Sequence, residues 1–195
     1  MRTKASEQGM TLPEILVVIV VLGALSVMVV GAVNRIIDQA SCSSLVQTFR
    51  GLVAECSTRA VIEGRHVAVV FGNDEHGATA QLFADGDGDG VLRADIAGGV
   101  DRPLGSKIYL KMERAYVGIP QGATVDPEGN PLSGQDPVRF GRGDILSFGP
   151  LATATPGSLY LRDQDGKEGW AFRVAGIDGR VRVYRFFQGR WEKWG

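Results

Sequence analysis

Three groups of residues in this chain combine charge and spacing in ways that could do chemistry. The first is Asp85-Gly86-Asp87-Gly88-Asp89-Gly90, followed by Asp95. Alternating carboxylates match the opening of a calcium loop, where hard oxygen ligands surround the ion. Such a loop ends on a bidentate acid at its twelfth position. Counted from Asp85 that position is Ile96, and Asp95 falls one residue early. Asp-Gly alternation between two strands also builds turns, because glycine supplies positive φ and aspartate accepts from its own backbone. Both readings stand, a calcium site on Asp85, Asp87, Asp89 and Asp95 or a hairpin turn.

The second group closes the chain. Arg173, Arg180, Arg182, Arg185, Arg190 and Lys193 outnumber Asp178 and Glu192, with Tyr184, Phe186, Phe187, Trp191 and Trp194 interleaved. In the strand Gly179-Arg180-Val181-Arg182-Val183-Tyr184, side chains alternate between faces. Val181 and Val183 are therefore expected inside, and Arg180, Arg182 and Tyr184 outside. Paired guanidiniums suit phosphate, and a neighbouring aromatic ring suits a stacked base of single-stranded DNA. On a solvated edge strand the same charges simply block edge-to-edge pairing. The third group is Glu14 alone, a carboxylate bordering an apolar run. It is either an acidic first-turn residue favoured by the helix dipole or an intramembrane charge that needs compensation.

Enzyme chemistry is not expected. His66 and His76 stand in no nucleophile motif, metal-binding helix motif or phosphate-cradling loop. Two cysteines and two histidines are too few for a disulfide framework or a structural zinc site. The 21 Lys+Arg and 22 Asp+Glu leave a net charge of −1, so bulk charge gives no sign of a polyanion-coating protein.

The elements that must carry these groups divide the sequence unevenly. Ile15 to Val33 is uncharged over nineteen residues, enough at ~1.5 Å per residue to cross most of a ~30 Å hydrocarbon core. No small-residue cleavage site follows it, so it is expected to be a retained membrane helix rather than a signal peptide. Arg2 and Lys4 precede it and place the N-terminus in the cytoplasm, with Arg35 on the far side. The helix is expected to continue, because Leu45, Phe49, Leu52, Val53, Cys56 and Ala60 share one face while Gln47, Arg50, Glu55 and Arg59 take the other. Cys42 and Cys56, fourteen residues apart on that helix, would lie ~20 Å from each other, too far for a disulfide. Cys56 is expected in the core and Cys42 at an interface.

Twenty-seven glycines and eight prolines suit a turn-rich β region from residue 65 onward. Strands are expected over 67–71, 79–84, 107–112, 138–140, 145–148, 158–161, 169–175 and 180–187, with 118–135 an irregular loop. Short connections favour antiparallel sheets. The expected fold is α+β, a long N-terminal helix packed on antiparallel β-sheet.

Gly9-Met10-Thr11-Leu12-Pro13-Glu14, between a short basic leader and the apolar run, resembles the processing site of type IV prepilins and pseudopilins. The Asp-Gly turn, the stretch Pro150 to Leu159 and Gly179-Arg180-Val181-Arg182-Val183 are similar to the GspH/FimT-like minor pilins and pseudopilins. The resemblance implies a pilin-like fold and cleavage after Gly9 by a prepilin peptidase. It further implies a methylated N-terminus at Met10, where relatives mostly carry Phe, and pairing of Glu14 with the first residue of a neighbouring subunit. The implied parts are a leader over 1–9, the membrane part of the helix over 10–37, its amphipathic part over 38–64 and an exported β-rich domain over 65–195. The subunit would sit in a bacterial inner membrane with a periplasmic domain and join other pilins through the apolar helix. Its implied function is protein secretion as a minor pseudopilin. DNA uptake through Gly179, Arg180 and Arg182 is the alternative, and a calcium-dependent adhesive tip a further one.

Overall fold

The structure is a computed structural model. It describes residues 12–112, 114–132, 136–141 and 143–194, with the helix backbone alone at 27–32, 34–35 and 38–39. The chain is α+β, and all of its strand pairs are antiparallel. It divides into two compact units, the first ending at Ile37 and the second starting at Asp38. Helix α1 runs Leu12–Glu63. In the first unit its described apolar side chains, among them Leu12, Ile15, Leu16, Ile19 and Leu22, are all exposed. Among the described residues no helix is long and apolar enough to cross a membrane. The described side chains of the apolar run stop at Ser26 and resume at Val33.

In the second unit α1 buries one face. Leu45, Phe49, Leu52, Val53, Cys56 and Ala60 lie inside, as their spacing predicts, joined by Cys42 and Val46. Cys42 therefore departs from its expected interfacial place. The i, i+3, i+4 rows run on toward the N-terminus and carry it into the core beside Leu45 and Val46. Cys56 is a free thiol whose Sγ donates to the Val67 carbonyl at 3.2 Å, and burial pushes its pKa up.

Two sheets complete the unit. The first contains β1 Val67–Asp74, β2 Gly77–Ala84, β3 Arg102–Pro103, β4 Ile108–Tyr109 and β8 Ile145–Phe148. Its order is β3-β2-β1-β8, with β4 also paired to β2. The second contains β5 Lys111–Met112, β6 Ala115–Val117, β7 Val138–Phe140, β9 Gly157–Asp163, β10 Gly169–Val174, β11 Val181–Phe187 and β12 Arg190–Lys193. Its order is β12-β11-β10-β9-β6-β5, with β7 also paired to β9. The strand expected over 107–112 is thus two strands in different sheets, parted at the buried Leu110. Strands β3, β6 and β12 were not expected, nor was the short helix α2 Arg93–Gly98.

One core joins α1 to both sheets. Val67, Val69, Phe71, Leu82 and Leu146 from the first sheet meet Phe140, Leu159, Leu161, Phe172 and Val183 from the second around Phe49 and its helical neighbours. The far side of the first sheet is closed separately, where Ala68 and Phe83 pack with Val91 and the partly buried Ile96 of the 85–101 segment.

Candidate functional site

The Asp-Gly segment leaves β2 at Ala84 and folds back over the far side of the first sheet. Its glycines permit the path, since Gly88 and Gly90 have φ of 96° and 100°. At Gly86 a Cβ would lie 2.1 Å from the Val100 carbonyl oxygen, so no other residue fits there. Asp85, only 3% exposed, accepts from three backbone N–H groups: Asp87 at 3.1 Å and Gly88 at 2.7 Å on Oδ1, and Gly90 at 3.0 Å on Oδ2. Burial opposes its ionisation, but those donors outweigh burial and hold its carboxyl below the usual range. The ligand oxygens of Asp85, Asp87 and Asp89 lie within 4.8 Å of one another, and Asp95, on α2, is not part of that cluster. Partial desolvation and the neighbouring Asp87 raise the Asp89 carboxyl above its usual range.

Spacing did not reveal Asp101. Its carboxylate, 1% exposed, accepts from the N–H of Gly86 at 3.0 Å and of Leu92 at 2.9 Å, which ties both ends of the segment together. Nothing local distinguishes it from Asp95, because its partners are fifteen and nine residues away. The Asp-Gly segment is thus a carboxylate-organised cover over a small apolar cluster, and its only close-set acids are Asp85, Asp87 and Asp89 among the described residues.

The basic closing hairpin keeps its predicted alternation from Val181 onward. Arg182 is exposed, Val183 is 2% exposed and Tyr184 is half-buried, whereas Val181 is only partly covered. Arg180 precedes the strand. Gly179, at φ 60°, makes the turn there, and the Ala175 N–H donates to the Arg180 carbonyl at 3.0 Å. The Arg180 side chain, 80% exposed, pairs with Asp178 at 3.1 Å. Arg185 leaves the basic group. It faces the opposite side of the sheet, pairs with Glu168 at 2.6 Å and lies over the rings of Trp170 and Phe187.

Register builds a larger arrangement around Arg182. Arg182 lies opposite Arg173 of β10, Arg173 opposite Ser158 of β9, and Ser158 opposite Arg139 of β7. These four side chains form one row on the outer face of the second sheet. Beside it, Tyr184 stands opposite Lys193. The loop 118–132 lies across that face. Its Pro120 meets Gly169, where a Cβ would fall 2.2 Å from Cγ, and its Val125 carbonyl accepts from Trp191 Nε1 at 2.8 Å. Asp126 pairs with Arg173 at 3.2 Å, and Glu128 pairs with it as well. Within the loop expected over 118–135, the Gly129 N–H donates to the Asp126 carbonyl at 3.0 Å and closes a turn over Asp126-Pro127-Glu128-Gly129. The arginine partner of that turn lies forty-seven residues away from Asp126, beyond the reach of local sequence signals.

His66 and His76 flank the two ends of β1, ~26 Å apart along eight residues, so they form no joint site. His76 is exposed and opens onto a cleft of about 840 Å³ whose floor includes Phe71 and Leu110 and whose rim carries Lys111 and Arg162 beside Asp136 and Asp144. Gly9 and Met10 lie outside the described residues. Glu14 is exposed in the first turn of α1. Compared with protein-family models, curated proteins and solved structures, the chain matches none.

Proposed function

We propose that the chain is a minor subunit of a type IV pilus or type II secretion pseudopilus, held in the inner membrane by its N-terminal helix and built into the fibre through it. The observation that carries this reading is the first unit's helix, whose apolar side chains from Leu12 to Leu25 are exposed on all sides with Glu14 the one acid among them. A helix apolar all round needs lipid or other helices around it. The sequence continues uncharged to Val33, long enough to span a bilayer. In this reading a prepilin peptidase cuts after Gly9 and methylates Met10, the unit from Asp38 onward lies in the periplasm, and Glu14 meets the N-terminal amine of an adjacent subunit. The pseudopilus role in protein secretion is the primary form.

Substituting Glu14→Ala should leave membrane insertion and leader cleavage intact while lowering recovery in sheared fibres at least tenfold, since a buried charge loses its partner. Quantitative immunoblots of fibre and membrane fractions measure it. Undiminished incorporation would overturn the pairing.

The exposed Arg182, which has no ion pair among the described residues, favours a second reading: contact with DNA during uptake. With Arg180→Ala/Arg182→Ala, the full-length chain in detergent should bind a labelled oligonucleotide about tenfold or more weakly at low salt, with a shallower salt slope. Equal binding by both proteins would remove the arginines from any such role.

A further inference from the structure

We infer that the outer face of the second sheet is a single-stranded nucleic-acid surface restrained by the chain itself, with Asp126 and Glu128 of the 118–132 strap occupying Arg173 where a phosphate would bind. The inference rests on the DNA reading of Arg180 and Arg182 and extends that surface from the terminal hairpin onto the sheet.

Arg173 and Arg182 are directly opposed, about 5 Å apart across the strands, and both point outward. Two guanidiniums so placed repel each other unless an anion lies beside them. For Arg173 that anion is internal, two carboxylates from one turn. Arg182 has none among the described residues.

The strap presents its acid in a fixed pose. Asp126 Oδ1 accepts from the backbone N–H groups of Glu128 and Asn130, both at 2.8 Å, while Oδ2 accepts from Arg173 Nη1. Burial opposes ionisation of Asp126, yet the Asn130 and Glu128 donors and Arg173 together lower its pKa, so it stays charged. Arg173 Nη1 also reaches the Ser158 hydroxyl at 3.3 Å. The guanidinium that donates to the Asp126 oxygen would serve a phosphate oxygen equally well, with the Ser158 hydroxyl beside it holding Nη1 in place. A single strand fits better than a duplex, because Tyr184 offers a ring between Arg182 and Lys193 for a base to stack on. Tyr160 and Phe186, on the same face, are 1% and 3% exposed and pack against the Trp191 ring.

The test measures fluorescence anisotropy of a labelled oligothymidylate with the full-length chain in detergent, across a salt series. Neutralising the strap by Asp126→Asn/Glu128→Gln keeps the Oδ1 acceptor and should tighten binding about fivefold at about 0.1 M salt, with the slope of log K against log salt steeper by about 0.7. That is the increment for one added phosphate contact on a single strand. In an Arg173→Gln background the gain should vanish, and Asp87→Asn/Asp89→Asn, two neutralised acids elsewhere, should not reproduce it. The single change Glu128→Gln, at a more exposed side chain, should give a smaller gain in the same direction. Binding seen only in the strap variant would support the inference most directly. If strap variant and wild type bind alike while Arg180→Ala/Arg182→Ala abolishes binding, the DNA reading stands and the strap inference falls. A gain that persists without Arg173 also overturns it, and absence of binding in every variant overturns both.

Discussion

Replacing Phe49 with alanine should lower the unfolding free energy of the second unit by about 3–5 kcal/mol. Phe49 is 1% exposed, and its ring centroid lies 4.6 Å from that of Phe172 in the second sheet and 6.1 Å from that of Phe71 in the first. Phe71 in turn stacks on Phe140 at 5.4 Å, which returns the contact to the second sheet. One helical side chain therefore links a run of aromatics, Phe172-Phe49-Phe71-Phe140, that spans both sheets. No neighbour can collapse into the space without parting from its own sheet, so the cavity should persist and the cost fall at the high end for a large-to-small change. Urea unfolding followed by Trp170, Trp191 and Trp194 fluorescence measures the loss. The exposed Gln47→Ala serves as the control and should shift stability by less than about 0.5 kcal/mol. A loss below about 1 kcal/mol for Phe49→Ala would mean that the sheets hold together without the helix.

That helix face was legible because a period of 3.6 residues needs no knowledge of the partner surface. Arg182, Val183 and Tyr184 were legible for the same kind of reason, a period of two. The misses share the opposite property. Ile108 to Met112 keeps one extended pattern, but long-range pairing takes its first half to β2 while its second half pairs locally with β6. Strand β3 contains Pro103 and sits at a sheet edge, where a missing N–H is tolerated but carries no strand signal. Helix α2 has Leu92 at its N-cap and so no side-chain cap, and Asp95 in the first turn of a six-residue helix is too weak a start signal by itself. At the candidate surface, alternation placed Arg182 outside but gave no hint that Arg173 stands beside it under two carboxylates. Charges adjacent in sequence can be counted, whereas neutralisation by a loop forty-seven residues away is a property of the fold.

Asp85 separates the turn account of the Asp-Gly segment from the calcium account. Alanine there would remove three backbone hydrogen bonds to a buried carboxylate, from the N–H groups of Asp87, Gly88 and Gly90, a cost of about 2–3 kcal/mol at neutral pH. The closure of Val91 and Ile96 over Ala68 and Phe83 depends on that path, so the loss should appear as global destabilisation rather than local fraying. The pH dependence has a definite sign. Because the folded-state pKa of Asp85 is depressed, its stabilisation is complete above the unfolded value of about 3.9 and is lost as pH falls through the folded value. The difference between wild type and Asp85→Ala should therefore narrow in acid. Asp89 has the reverse character, with a carboxyl raised first by desolvation and then by Asp87, so Asp89→Asn should leave the metal-free protein as stable or more so. A bound calcium ion would invert that result, since it would draw on the Asp89 oxygen and make its loss destabilising. Thermal unfolding of Asp85→Ala and Asp89→Asn, with a chelator and with millimolar Ca²⁺, decides the matter. A carboxylate that matters equally in both media is organising the turn, and one that matters only with the ion present is a ligand.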